Sequence, residues 1–235
     1  MRIIVINPNT SESMTDHLRR ELASISGSGV ELVCVNPDHG PVSIESAFDE
    51  ALAIPPTLDL VRGAERDGFD AVVLACFSDP GLEAARELVS IPVVGIGESA
   101  LHLAAQLGRR FTVLTTIPQR VPCMTEHIAR RGLLNRLASV RPLEMSVLEL
   151  DADSSRTKIR VLAEARAAAS EDGADVIVLG CAGLTGSAAE VERELGMTVV
   201  DPSPVGVLTA ETLVRLGLRH SKRGLYARPP AKLIK

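Results

Sequence analysis

Two stretches of this chain decide its fold: DAVVLACFSDPG (70–81) and DVIVLGCAGLTG (175–186). Each starts at an aspartate, runs through apolar residues and reaches a cysteine just before a turn. A short, unbroken apolar run bounded by turn residues is the mark of a strand buried on both faces, as in a parallel sheet covered by helices. Cys76 and Cys181 occupy matching places in these runs, 105 residues apart.

The echo extends outward from them. RIIVINPN (2–9) parallels RFTVLTTI (110–117), and MTDHLRRE (14–21) parallels MTEHIARR (124–131). Three echoes in one order and at nearly constant offset predict an α/β protein of two pseudo-symmetric Rossmann-like units. Mainly parallel sheets and a site in the cleft between the units are expected, in preference to one continuous doubly wound domain. The runs 2–6, 30–35, 71–75 and 93–96 read as strands of the first half, with helices over 12–25, from about 47, and over 82–88. In the second half 111–115, 176–179 and 199–200 read as strands, and 121–131 and 156–171 as helices. The expected division is 1–98 for the first unit, 99–204 for the second, a C-terminal helix within 205–220 packing back on the first, and a basic tail over 221–235.

Composition narrows the function classes. With four Phe, one Tyr and no Trp, the core is left to Val, Leu, Ile and Ala. A net charge of -5 gives no electrostatic ground for binding nucleic acid. The exception is the stretch from Arg219 onward, with six Lys or Arg and no acid, which reads as a solvated tail or an intersubunit arm. No apolar run is long enough to span a membrane, and the start enters a strand pattern with no export signal. A cytoplasmic location with free thiols, and assembly into a homo-oligomer, are therefore expected. The four cysteines lack metal-ligand spacing, so no metal is expected. Cys34 reads as packing, and Cys123 as a residue near a helix start.

Ligands of open α/β sheets bind outside the carboxyl ends of the strands, where both Cys76 and Cys181 fall. Two thiols facing one cleft suit the removal of a proton from a carbon and its return on the other face. A thiol begins near pKa about 8.5, and helix N–H groups beyond each cysteine are expected to bring it toward neutrality. Asp79 is expected to cap the helix after the first cysteine, and Thr185 or Ser187 the one after the second. Close thiols titrate as a coupled pair, which provides one base and one acid. If the substrate carbon is already acidic, no cofactor is needed.

Taken together, INPNTS (6–11), HGPVSIESAFDEALA (39–53), ACFSDPG (75–81), GIGESALHLA (95–104), TTIPQRVP (115–122) and LGCAGLTG (179–186) carry a resemblance. The chain resembles the hydantoin and allantoin racemase branch of the aspartate/glutamate/hydantoin racemase superfamily over nearly its whole length. That resemblance implies a cofactor-independent racemase in which Cys76 and Cys181 each serve as base for one enantiomer and acid for the other. It implies a small cyclic ureide substrate, such as a 5-monosubstituted hydantoin, whose C5 proton leaves to give an enolate. Asn7, Asn9, Thr10, Ser11, Thr115 and Thr116 are the expected partners of ring carbonyls. Ser78 and Asp79 border Cys76, and Gly183 and Leu184 follow Cys181, with the backbone there placed to meet the enolate oxygen. Ile44, Phe48, Ile117 and Val121 are candidates for an apolar subsite, Glu45 reads as a loop or cap residue, and His39 and His102 are not needed as bases.

The alternatives within the superfamily are an allantoin racemase, a free amino-acid racemase and a maleate-isomerase-like enzyme. NPNTS replaces the Asp-Ser-Gly type turn of glutamate racemases, which argues against a free amino acid. A non-catalytic two-lobed binding protein is the rival from another class. GIGESA (95–100) fits a dinucleotide-binding pattern, but Glu98 would turn negative charge toward a phosphate and no acidic residue ends the next strand.

Overall fold

In the computed structural model, which describes residues 1–25 and 27–230, the apolar runs pair into two four-stranded parallel sheets. The first holds β1 (Arg2–Ile6), β2 (Glu31–Val35), β3 (Ala71–Leu74) and β4 (Val93–Gly95), in the order β2-β1-β3-β4. The second holds β5 (Phe111–Thr115), β6 (Leu137–Pro142), β7 (Val176–Leu179) and β8 (Thr198–Val200), in the equivalent order β6-β5-β7-β8. Registers repeat too: Ile3 pairs with Ala71 and Ile6 with Leu74, as Phe111 pairs with Val176 and Leu114 with Leu179. The two halves are structural repeats, and every residue of β3 and β7 is buried, as their apolar composition predicts.

The helices of the first half are α1 (Glu12–Leu22), α2 (Ala47–Arg66), α3 (Leu82–Leu88) and α4 (Ile96–Leu107). The second half adds α5 (Arg120–Arg130), α6 (Val147–Ala152), α7 (Ser154–Glu171), α8 (Ala188–Leu195) and α9 (Pro202–Arg215). Among the described residues, no helix is long and apolar enough to cross a membrane. Four elements have no counterpart in the sequence reading: β6, α4, α6 and α8. Strand β6 is half-buried at all six positions and carries Arg141, so it presents no apolar run. Helix α4 begins directly after β4, with no intervening turn between Gly95 and Ile96.

Helices α4 and α9 exchange sheets. Helix α4 follows β4 but packs on β7 and β8, where Leu101 and Ala104 join Val113 and Val178 in one core. Helix α9 follows β8 but packs on β1, β3 and β4, where Val207 and Ala210 join Val5, Val73 and Val94. The two helices also pack against each other. Residues that follow the cysteines make the same exchange. Phe77 enters the core with Val113 and Ile128 of the second half, and Ala182 enters the core with Val5 and Leu18 of the first. Phe77 reaches its place only because residue 97 is glycine: a Cβ there would stand 1.9 Å from the Phe77 carbonyl oxygen.

The basic C-terminal segment departs from its expectation. Over residues 220–228 it is docked on the first unit; residues 231–235 of the expected tail lie outside the described residues. Lys222 Nζ donates to the carbonyls of Arg86, Glu87 and Val89 at the end of α3, where a cation meets the negative end of the helix. Tyr226 Oη accepts from Arg86 Nη1 at 3.2 Å, and Arg228 Nη2 donates to Ser90 Oγ at 2.8 Å. On the outer side of β4, the Val93 N–H donates to His220 Nε2 at 2.9 Å, and the Val93 carbonyl accepts from Arg86 Nε at 3.1 Å.

Two predictions follow from this packing. Gly97→Ala is expected to destabilise the protein by about 1–3 kcal/mol, because backbone must move to admit the methyl group; a wild-type midpoint in urea unfolding would contradict the close approach at Phe77. The docked His220 imidazole resists protonation, its pKa pushed down from 6.5 to about 4 by burial and by Arg86. The unfolded chain therefore takes the proton first as pH falls. The contribution of His220 is complete above pH 6.5 and disappears on the way down through about pH 4. His220→Asn is expected to flatten the stability-against-pH curve in that window, and parallel curves would contradict the neutral docked imidazole.

Candidate active site

Each cysteine stands two residues beyond the end of an inner strand, Cys76 after β3 and Cys181 after β7. The equivalent inner strands β1 and β5 end at Ile6 and Thr115, and Asn7 and Thr115 hold the positions beside them. Because the halves face one another across α4 and α9, these four carboxyl ends open into a single cleft. Both cysteines line it, together with Asn7, Asn9, Ser78, Thr115 and Thr116.

The turn after β1 is wired internally. Asn7 Nδ2 donates to Asn9 Oδ1 at 2.8 Å and to Thr15 Oγ1 at 3.1 Å, and the Ser11 N–H donates to Asn9 Oδ1 at 2.9 Å. Asn9 lines the cleft, and among the described residues its amide nitrogen has only the Met14 sulfur as acceptor, at 3.4 Å. Ser11 caps α1 by accepting from the Met14 N–H, and Thr10 bonds Pro41 through both its N–H and its hydroxyl. Thr10 and Ser11 thus shape the turn and do not line the cleft.

Asp79, too, lies away from the cleft. Its carboxylate is fully buried and accepts from the N–H groups of Gly97 at 3.0 Å and Glu98 at 2.8 Å, and from Arg131 Nη2 at 2.8 Å. It caps α4 rather than α3, whose N-cap is Gly81 with no side-chain bond. Burial pushes this carboxyl up to about 7, against the pull of Arg131 and the two N–H groups. The glycines of GIGESA find their role here: a Cβ on Gly95 would lie 2.4 Å from Asp79 Oδ1. The N-terminus of α4 receives a carboxylate of the protein itself, and Glu98 turns aside to pair with Arg86. Asp79 holds φ at +50°, a left-handed conformation for the turn that carries Cys76.

Beyond Cys181 the chain makes a 3-10 turn, Ala182–Leu184, and the Gly183 N–H donates to Cys181 Sγ at 3.4 Å. Gly183 therefore serves the thiol directly and does not line the cleft. Leu184 is buried in the second-half core. Thr185 bonds Ser203 through its hydroxyl at 2.7 Å, and Ser187 at the start of α8 makes no side-chain cap, so neither plays the capping part expected of it.

The thiols are not near neutrality. Burial pushes Cys76 up, opposed by the Ser78 hydroxyl at 3.5 Å and the Ser78 N–H, with Glu50 adding to the rise and Arg120 subtracting from it. Burial pushes Cys181 up to about 12, opposed by the Gly183 N–H and reinforced by Cys76 and Glu45. The helix N–H groups expected from sequence do not act on Cys76, whose donor is the turn residue Ser78; Gly183 in a 3-10 turn serves Cys181, and at both thiols desolvation outweighs these donors.

Four lining residues carried no sequence signal for this cleft: Met14, Arg120, Met124 and Val147. Ile44 lines the cleft, while Phe48 is 70% exposed and Ile117 and Val121 do not contribute. Glu45 is a tether. Its Oε1 accepts from the Val147 N–H at 2.8 Å and so joins the loop before α2 to the start of α6.

Comparisons with known proteins place the chain in a family. A model of the Asp/Glu/Hydantoin racemase family matches residues 3–210. A protein named hydantoin racemase from Pseudomonas sp. (strain NS671) is 40% identical over 232 residues, covering 99% of this chain and 93% of its own. The solved structure of an allantoin racemase from Klebsiella pneumoniae superposes with a TM-score of 0.97 at 38% identity, covering 100% of this chain and 96% of its own. The allantoin racemase structure from Pseudomonas fluorescens gives 0.96 at 38% identity over the full length of both chains. The repeated sheets, the crossed helices and the sequence match together show that this chain belongs to the Asp/Glu/Hydantoin racemase family.

Proposed function

We propose that the protein racemises 5-monosubstituted hydantoins without a cofactor, by two-base proton transfer between Cys76 and Cys181. The observation that carries this reading is the placement of two thiols at symmetry-equivalent strand ends, lining one cleft from opposite halves of the fold. One cysteine, as thiolate, removes the C5 proton; the electron pair moves onto the adjacent carbonyl oxygen as an enolate. The other, as thiol, returns a proton to C5 from the opposite face, and the pair ends with its protonation states exchanged.

A buried pair suits this cycle. Each thiol raises the cost of ionising the other, so a singly ionised pair is the working state. Neutral donors are at hand for the ring carbonyls and the developing oxyanion. Among the described residues, the Thr115 and Thr116 hydroxyls have no hydrogen-bond partner, and Asn9 Nδ2 has only a thioether. The similarity to solved allantoin racemases supports allantoin as a second substrate reading, since it too is a cyclic ureide with a C5 hydrogen beside a carbonyl.

Incubation of an optically pure hydantoin with the protein in deuterium oxide is expected to abolish optical rotation while deuterium enters C5. A panel of aromatic hydantoins, aliphatic hydantoins and allantoin separates the two substrate readings, and no exchange on any of them would refute both. Cys76→Ser and Cys181→Ser are each expected to lower racemisation by about 10²–10⁴-fold. Exchange that survives in either variant is expected for one enantiomer only. Full racemisation by either variant would exclude the assigned pair.

A further inference from the structure

The repeat that places the two cysteines also places two histidines that the proton-transfer cycle does not use. His17 and His127 hold the same position in MTDHLRRE (14–21) and MTEHIARR (124–131). They lie on α1 and α5, the helices that follow the first strand of each unit. Met14 and Met124, three residues before them, both line the cleft.

His17 reaches the turn after Cys181, in the opposite unit. Its Nε2 stands 3.0 Å from the Thr185 carbonyl. A carbonyl only accepts, so Nε2 carries the proton. Thr185 ends the 3-10 turn that opens at Cys181, whose own carbonyl accepts from the Leu184 N–H at 3.1 Å. The next residue, Gly186, is held from the other side, where its N–H donates at 2.7 Å to Oδ2 of Asp201, the N-cap of α9. A Cβ on Gly186 would collide with the carboxylate of Glu21, one turn along α1 from His17.

His127 meets the turn after Cys76 in the same way. Its Nδ1 stands 3.1 Å from Arg131 Nη1, which only donates, so the ring proton sits on Nε2. Burial and Arg131 push the pKa of this ring down to about 3, which keeps it neutral. Nε2 faces Asp79 Oδ2 at 3.6 Å and has no hydrogen-bond partner among the described residues. Asp79 in turn donates its N–H to the Cys76 carbonyl at 2.9 Å. Arg131, at the place of Glu21 in the repeat, grips the same carboxylate oxygen at 2.8 Å.

We propose that His127 sets the position of Cys76 and His17 that of Cys181, so that each unit holds the thiol of the other. This rests on the two-thiol reading above and gives each thiol its own support. Both histidines are positioning residues, since they touch the turn and not the sulfur. The two enantiomers are equal in free energy, so kcat/KM stays equal in the two directions whichever thiol is displaced. Turnover cannot tell the supports apart, and the thiols themselves have to be read.

The test is alkylation by iodoacetamide at one pH, with Cys76 and Cys181 followed separately by peptide mass spectrometry. His17→Met fills the space without an N–H donor. It is expected to speed alkylation of Cys181 about fivefold, because a turn that loses one hydrogen bond opens more often, and to leave Cys76 within about twofold of wild type. His127→Met is expected to do the reverse. His17→Gln, which keeps a donor near the place of Nε2, is expected to restore the wild-type rate at Cys181. A change at the other thiol, equal changes at both, wild-type rates in either Met variant, or equal Cys181 rates in His17→Gln and His17→Met would overturn the proposal. The unchanged thiol in each variant reports that the chain is folded. Alkylation is read without turnover, so failure of the racemase reading leaves this outcome separately visible.

Discussion

The exchange of α4 and α9 between the sheets is the constraint on which the rest depends. Each helix leaves the sheet that feeds it and buries its apolar face on the other, so neither half completes its core alone. The same exchange turns the carboxyl ends of the inner strands toward one another. Phe77 and Ala182, each next to a cysteine, are anchored in the opposite half, which ties the position of each thiol to the packing of the unit it faces. The two thiols are thus held in place by residues of the core rather than by loops alone.

Burial sets the chemical terms. A buried cleft strengthens every charge inside it and at the same time makes a thiolate costly. Fixed groups offset part of that cost: the Ser78 hydroxyl at one sulfur and the Gly183 N–H at the other. Asp79 stands further back. By capping α4 and gripping Arg131, it fixes the left-handed turn through which the chain passes just after Cys76.

Much of this was legible in the sequence where local composition alone determined the outcome. Strands β3 and β7 are buried on both faces and contain nothing but apolar residues, so they announced themselves and their cysteines together. Strand β6 was not legible, because its half-exposed residues follow no simple alternation. Helix α6 did carry a signal, the Ser146-x-x-Glu149 capping box, but six residues are too few for a periodic pattern. In the site, the repeated cysteines and the Asn and Thr positions at strand ends could be read. Arg120 could not, since arginine usually lies in solvent and its partner Glu50 is seventy residues away. Local sequence points Asp79 at the next helix, whereas its partners, Gly97 and Glu98, are eighteen and nineteen residues ahead.

The docked C-terminal segment has a consequence for assembly. An outer strand with free N–H and carbonyl groups is a template on which another chain can lay a strand and extend the sheet. At β4 the outward groups of the first residue, Val93, are already taken: His220 accepts from its N–H and Arg86 donates to its carbonyl. Lys222 and Tyr226 hold that cover against α3. At Val93 the first sheet therefore offers no free pair of groups on which a second copy could lay a strand.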